Sequence, residues 1–341
     1  MSAAVEVLGV GELEELAADG PSLERLSVLV SPTPLVVRDT PGPVDLERVT
    51  PFLKRVPTVT VLWGSSAEET SGLAAAFDVC LTGTADPPVP WVHGEPEAVA
   101  GAVAAQPLAA LALVGHLRSV EALDTWSGLA AESAVYTSLL GGAAFRVWRD
   151  GHARRASRPD PAPPVLLSRS VDRLSVVLNR PDRHNALDTA MRDALVEALQ
   201  LAAFDHSVDT ISLTGAGPSF CSGGDLDEFG SVGDGPVAHA VRLTRHPGWW
   251  VHACRDRLFV MVHGSCVGAG IELAAFAADI EAAPDAVFSL PELGMGLIPG
   301  AGGTVSITRR VGRQRSGWLA LTGESIDAPT ARRWGLVERI T

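Results

Sequence analysis

Three glycine-rich stretches in the second half of the chain constrain its fold more than any other feature. They are Phe220-Cys221-Ser222-Gly223-Gly224-Asp225-Leu226, Gly264-Ser265-Cys266-Val267-Gly268-Ala269-Gly270 and Ile298-Pro299-Gly300-Ala301-Gly302-Gly303-Thr304. The first two come just after apolar runs, at 210–214 and 258–262, that read as buried strands. Small residues there let the backbone approach a ligand or a neighbouring element and aim N–H groups at it. Residues 174–178 read as a further strand. Asp188 is placed to cap a helix running to about residue 204, with Met191, Leu195, Ala198 and Leu199 on one face. Residues 268–278 read as a helix of small residues. Strands alternating with helices point to an α/β layered fold.

The first half is less regular. Residues 26–30 and 59–62 read as buried strands, and 96–150 as mostly helical. The basic, Pro-rich run Arg154-Arg155-Ala156-Ser157-Arg158-Pro159-Asp160-Pro161-Ala162-Pro163-Pro164 then breaks the chain, because proline fixes φ and removes backbone donors. The division expected is an N-terminal region at 1–155, a linker at 156–164 and a core at 165–341. The run 57–65 loosely echoes 257–265, and each continues through small residues to an aspartate, Asp78 and Asp279. A decayed duplication would explain this echo, and so would chance.

With 341 residues, about two units are expected at ~150 residues each. Hydrophobic residues at 46% against 20% charged supply ample core. No run approaches ~18 uncharged apolar residues, so no membrane partner is expected. The acidic start, MSAAVEVLGVGELEEL, lacks the pattern of a cleaved signal. A net charge of −13 argues against nucleic acid. Cys80, Cys221, Cys254 and Cys266 form no CxxC pair and have no zinc spacing, so reduced thiols, a cytoplasmic setting and no metal site are expected.

The chemistry concentrates around the glycine-rich stretches. A helix opening at Gly268-Ala269-Gly270 leaves N–H donors and partial positive charge at its start. Two such donors, one from each of two loops, would stabilise a carbonyl oxygen that gains charge. Glu272 sits in an apolar helix, where desolvation raises a carboxyl pKa toward the range useful for proton transfer. Glu292 lies in a Gly- and Pro-rich loop. Two carboxylates sharing one water can deliver a proton and a hydroxide to adjacent carbons. Taken singly, Glu272 also reads as a carboxylate satisfied by backbone donors, Glu292 as a solvated loop residue, and 300–303 as a flexible turn.

In order and spacing, residues 165–341 resemble the crotonase (enoyl-CoA hydratase/isomerase) superfamily. The resemblance rests on Asn179-Arg180-Pro181-Asp182-Arg183-His184-Asn185-Ala186-Leu187, on 220–226, on 268–273, on Pro291-Glu292, on 298–304 and on Leu321-Thr322-Gly323-Glu324. It implies a ββα spiral core with surrounding helices and an acyl-CoA thioester substrate. CoA belongs to that substrate, so no separate cofactor is implied. It also implies an oxyanion hole from the N–H groups of Gly224 and Ala269, the latter a departure from the usual glycine. Glu272 and Glu292 are then the two catalytic glutamates of the hydratase branch, Glu272 activating water and Glu292 holding it and supplying the α-proton. Arg183, Ser222, Gly223 and Asp225 are implied as CoA contacts, although Asp227 stands where relatives often carry a basic residue. The activity implied is syn hydration of a 2-enoyl-CoA. The alternatives are an isomerase or hydrolase of the same superfamily, or a silent acyl-CoA-binding subunit.

Proteins of this kind usually continue beyond the motif at 331–337 with helices that cover the site and build trimers. Here the sequence stops at Thr341, and segments of similar type stand earlier, at 107–113, 128–134 and 139–146. The expectation is a smaller α/β N-terminal region, either a degenerate crotonase-like unit that kept its tail or a tail moved in front of the core, whose helices replace that tail and close the CoA site, in a trimer-based homo-oligomer. The position in the first half matching Glu272 is Ser71, so no second catalytic pair is expected there. Trp249 and Trp250, with His246 and Pro247, fall where similar proteins form the acyl pocket, or serve as core.

Overall fold

A computed structural model describes residues 5–19, 22–40, 42–64, 72–154 and 162–341. Ser71, most of the Pro-rich run and the end of the echoed segment lie outside the described residues.

The first half opens with a parallel sheet of five short strands in sequence order: β1 (Val7–Leu8), β2 (Leu35–Arg38), β3 (Thr60–Gly64), β4 (Val79–Thr82) and β5 (Val92–His93). The central strands β3 and β4 are apolar and buried on both faces, as parallel strands covered by helices must be. On one face lie α1 (Val10–Ala18), the single turn α2 (Ser22–Arg25) and α3 (Leu46–Leu53). Residues 26–30 are a turn and not a strand. Leu29 and Val30 are exposed, and the Ser27 hydroxyl accepts the Leu29 N–H at 3.2 Å, which diverts the backbone from a ladder. The strand lies instead at Leu35–Arg38.

Four helices follow: α4 (Pro96–Ala105), α5 (Pro107–Val120), α6 (Thr125–Leu140) and α7 (Ala143–Gly151). The second half begins with an antiparallel hairpin, β6 (Val165–Ser170) and β7 (Arg173–Leu178), and the helix α8 (Thr189–Phe204). The Asp188 carboxylate caps α8 by accepting the Met191 N–H at 2.8 Å, and Met191, Leu195, Ala198 and Leu199 are buried. Next come β8 (Thr210–Gly215), α9 (Gly235–Thr244), α10 (Pro247–Cys254), β9 (Leu258–Val262), β10 (Ser265–Val267), α11 (Ala269–Ala274) and β11 (Asp279–Ala282). The chain ends with β12 (Val287–Ser289), α12 (Gly303–Val311), α13 (Arg313–Thr322), β13 (Ile326–Asp327), α14 (Ala328–Trp334) and β14 (Arg339–Ile340). The strands form a six-stranded sheet, β14-β11-β9-β8-β7-β6, and a three-stranded one, β10-β12-β13. α11 is shorter than the small-residue run suggests. Residues 275–278 form the turn that returns the chain to β11, which pairs in parallel with β9. The sequence echo has a matching geometry, since β4 after Asp78 pairs in parallel with β3 just as β11 at Asp279 pairs with β9.

The two halves share one hydrophobic core. Its contributors include Leu113 and Leu117 of α5, Leu129 and Tyr136 of α6, and Val305 and Ile307 of α12. α6 and α12 touch so closely that a Cβ on Gly128 would lie 2.9 Å from a Val305 methyl. Polar contacts fix the register. Asp78, 2% exposed, receives the Arg118 guanidinium of α5 at 2.6 Å and that of Arg313, which opens α13, at 3.1 Å. The Thr60 N–H and hydroxyl complete its shell, each at 2.9 Å. A buried carboxylate so paired is satisfied only while sheet, α5 and α13 are docked together. Among the described residues, no single helix is long and apolar enough to cross a membrane. The four cysteines are free and buried.

Candidate active site

The glycine-rich stretches meet at one place. Residues 219–225 are tied to β10 by a bridge in which the Cys221 N–H donates to Ser265 O and the Val267 N–H to Cys221 O. Gly223 packs on residues 267–268, its missing Cβ 3.1 Å from Val267 O. Gly224 pairs with Leu187 through its neighbours: the Leu187 N–H donates to Gly223 O and the Asp225 N–H to Leu187 O. In such a ladder the N–H of Gly224 faces away from Leu187. Ala269 begins α11, where no preceding turn supplies an acceptor. Among the described residues, neither the Gly224 nor the Ala269 N–H donates to a protein acceptor.

Gly268 makes this junction possible. It has φ +50° and ψ −123°, outside the ordinary reach of L residues, and a Cβ there would lie 2.4 Å from Glu292 Oε1. Glu292 opens a single 3₁₀ turn, Glu292–Met295, and is 6% exposed. Its Oε2 is buried with no hydrogen-bond partner among the described residues. Burial, with Glu272 and Glu132 nearby, holds its pKa well above the carboxylate range. Glu272 on α11 is 1% exposed. Its Oε2 accepts the Ala301 N–H at 2.7 Å and the Gly303 N–H at 2.8 Å. Burial outweighs these donors and raises its pKa to about 7.

A third carboxylate, from the first half, completes the cluster. Glu132 of α6 is 1% exposed. It accepts the Gly302 N–H at 2.8 Å on Oε1, and the Thr304 N–H at 3.1 Å and hydroxyl at 2.6 Å on Oε2. Burial and the charge of Glu272 raise its pKa to about 8, against the pull of its donors. Four successive N–H groups at the start of α12 thus hold two carboxylates alternately: 301 and 303 bind Glu272, 302 and 304 bind Glu132. The start of a helix is where such donors lack partners and carry positive charge. His116 of α5 stands behind this arrangement, its Nε2 2.8 Å from the Thr304 hydroxyl; that hydroxyl donates to Glu132 and so accepts from the Nε2–H tautomer of a ring whose pKa burial lowers to about 4.

The 300–304 run is therefore tightly packed. A Cβ on Gly300 would meet the Tyr136 ring at 2.5 Å, one on Gly302 the Phe276 ring at 2.5 Å, and one on Gly303 Glu272 Cγ at 2.6 Å. Tyr136 lies one helical turn beyond Glu132, and Arg242 of α9 covers its ring at 4.8 Å. Beside them opens a cleft of about 170 Å³ between α6, α8, α9 and residues 228–232.

The remaining expected site residues divide. The turn carrying Arg183 meets the glycine loop where the Ser222 N–H donates to His184 O at 2.9 Å. The Arg183 side chain has no ion-pair partner among the described residues. Gly223 adopts φ +99° at the loop contact. The Asp225 carboxylate is turned inward, 3.5 Å from Arg180, which also holds Asp188 at 3.0 Å, and it accepts the Asp227 N–H at 3.1 Å. Trp249 and Trp250 do not line the cleft. They pack against Trp126 and Phe204, with ring centres 5.2 and 5.9 Å apart. Sequence reasoning passed over Glu132, Tyr136 and Arg242. The one available signal was a charged residue inside the apolar run 128–134.

Residues 172–341 match the family model described as enoyl-CoA hydratase/isomerase. A 2,3-dehydroadipyl-CoA hydratase of Escherichia coli (strain K12) is 37% identical over 177 residues, covering 52% of this chain and 68% of that protein. A probable enoyl-CoA hydratase of Mycobacterium tuberculosis (strain ATCC 25618 / H37Rv) is 39% identical over 176 residues, 51% of this chain and 68% of that protein. Among solved structures, an enoyl-CoA hydratase from Thermoplasma volcanium GSS1 aligns with a TM-score of 0.49 at 29% identity, over 53% of this chain and 72% of that one. On the strength of the sequence matches, this chain belongs to the enoyl-CoA hydratase/isomerase family.

Proposed function

We propose that the chain is an enoyl-CoA hydratase that adds water syn across the 2,3 double bond of an enoyl-CoA thioester. The observation that carries this reading is the pair of buried carboxyls, Glu272 and Glu292, both with pKa values raised out of the ordinary range, beside the Ala269 N–H, which has no acceptor among the described residues. The thioester oxygen accepts the Gly224 and Ala269 N–H groups, which draws electron density from the β-carbon. Glu272, fixed through one oxygen by two backbone donors, takes a proton from water as the water oxygen bonds to the β-carbon. Glu292, kept protonated by burial, gives its proton to the α-carbon. Proton exchange between the two carboxyls and solvent restores the starting state. The two groups titrate as a coupled system, so the division of labour follows their environments more than their identities.

CoA is bound on the side of Arg183, Ser222 and Gly223, and the acyl chain extends into the cleft beneath Tyr136. α5 to α7 close the site within one chain, the place that a C-terminal tail fills in similar proteins. Oligomerisation, if trimer-based, would then not be needed to cover the site.

The test is turnover of short, long and ring-bearing 2-enoyl-CoA esters in ¹⁸O water, followed by mass. Label at the β-carbon of an intact 3-hydroxyacyl-CoA is the expected result. Label in a released carboxylate would mean thioester hydrolysis, and an unlabelled, shifted double bond would mean isomerisation. Binding without turnover would leave a silent subunit.

A further inference from the structure

We infer that Arg242 makes the acyl end of the cleft a receptor for a carboxylate, so that the preferred substrate is an acyl-CoA whose acyl chain itself ends in a carboxylic acid. This rests on the acyl-CoA reading above and goes on to name the acyl class.

Arg242 projects from α9 into the cleft wall. Its Nε donates to the Ser133 hydroxyl at 3.0 Å and one terminal nitrogen donates to the Thr137 hydroxyl. Its guanidinium lies on the Tyr136 ring. All three partners are neutral and all belong to α6. A guanidinium carries five N–H hydrogens, and three of these have no acceptor among the described residues. Of the two arginines lining the cleft, Arg192 is paired with Asp193 at 2.9 Å, while Arg242 has no carboxylate in contact among the described residues. Burial lowers its pKa, the response of a cation short of compensation, and Glu132 offsets this only through space, both its oxygens being held by residues 302 and 304.

The other acids lining the cleft are engaged elsewhere. Asp188 and Asp225 face Arg180, and Glu228 accepts the Thr189 N–H and hydroxyl, each at 2.8 Å. The rest of the wall includes Leu140, Leu187, Phe229, Val232, Ala238 and Val241. Apolar walls with one part-buried planar fork of donors suit a short methylene chain ending in a carboxylate, which a guanidinium binds through two parallel hydrogen bonds. A latch between α9 and α6 would need only the two contacts already made. It would not need Arg242 to line a cleft as well.

The test uses saturated esters that cannot react, so it does not depend on the reaction being hydration. Hexanoyl-CoA and adipoyl-CoA, equal in chain length and differing in the terminal carboxylate, are titrated into the full-length protein by calorimetry. Adipoyl-CoA is expected to bind about 10- to 100-fold more tightly, the scale of a charge-assisted pair. Arg242→Met is expected to bring the ratio to one or below, and Arg242→Lys, which keeps the charge but loses the fork, to leave an intermediate ratio. Equal affinities in the unsubstituted protein would overturn the inference alone. An equal loss for both esters in Arg242→Met would also overturn it, in favour of a latch. If neither ester binds, the acyl-CoA reading falls and this inference falls with it. Should Arg242→Met fail to fold, the unsubstituted comparison and Arg242→Lys still decide the matter.

Discussion

Replacing Glu132 by glutamine should damage catalysis although Glu132 lies in the half of the chain that lacks the catalytic motifs. The isosteric amide keeps the volume and one acceptor oxygen. Above about pH 8, where Glu132 is ionised, the amide cannot satisfy the three donors that the carboxylate does. With its oxygen on the Thr304 N–H and hydroxyl, its NH₂ faces the Gly302 N–H; flipped, it faces the Thr304 N–H. Either way one buried backbone N–H loses its acceptor, at about 1–3 kcal/mol. The same loop holds Glu272 through residues 301 and 303, so relief of that strain moves the carboxyl proposed to activate water. A displacement near 1 Å can cost about 100-fold in rate. We expect kcat for 2-enoyl-CoA hydration, followed by loss of enoyl-thioester absorbance, to fall about 10- to 100-fold. KM should change little, and urea unfolding should show a loss of about 1–3 kcal/mol. The double variant with Glu272→Gln should be no slower than Glu272→Gln alone, because both act through one group. Full kcat with unchanged stability, or additive losses in the double variant, would refute the reasoning.

Other expectations follow from the same geometry. Glu272→Gln and Glu292→Gln should each lower kcat by about 10²–10⁴-fold with circular dichroism unchanged, the range for an acid/base group. Because Glu272 must be ionised and its pKa is raised to about 7, kcat/KM measured from pH 5 to 9 should fall on the acid side of about pH 7; a profile flat through that range would contradict its role as base. A raised carboxyl pKa also means that the folded state binds more protons than the unfolded one between the ordinary carboxylate range and about pH 7 to 8. Global stability should therefore decline as pH rises through that window, and Glu132→Gln should flatten the decline in urea titrations. Gly268→Ala should remove activity and lower stability, since its Cβ would lie 2.4 Å from Glu292 Oε1 at a strained φ; an active, stable variant would show that the loop can shift.

The sequence alone determined whatever local chemistry encodes. Asp188 announces the start of α8 because a carboxylate three residues before a backbone donor is a local arrangement. Gly268 and Glu272 stand four residues apart, so a helix start and the carboxyl it carries could be read together, whereas joining them to Gly223 and Gly224, 44 or more residues earlier, and to Glu292, 20 residues later, rested on the resemblance in order and spacing. Runs such as 26–30 were not legible, because short apolar segments have no period that separates a strand from a turn, and only exposure of Leu29 and Val30 decides. The end of α11 was likewise set by the need to return to β11 and not by its small residues. Tertiary structure decided what lies across the halves. Glu132 reaches Gly302 over 170 residues of sequence, and Asp78 reaches Arg313 over 235. A polar side chain in an apolar helix reveals that it needs a partner, but not which one. That choice is made only when docking excludes water and leaves the N–H groups of residues 302 and 304 as the donors within reach.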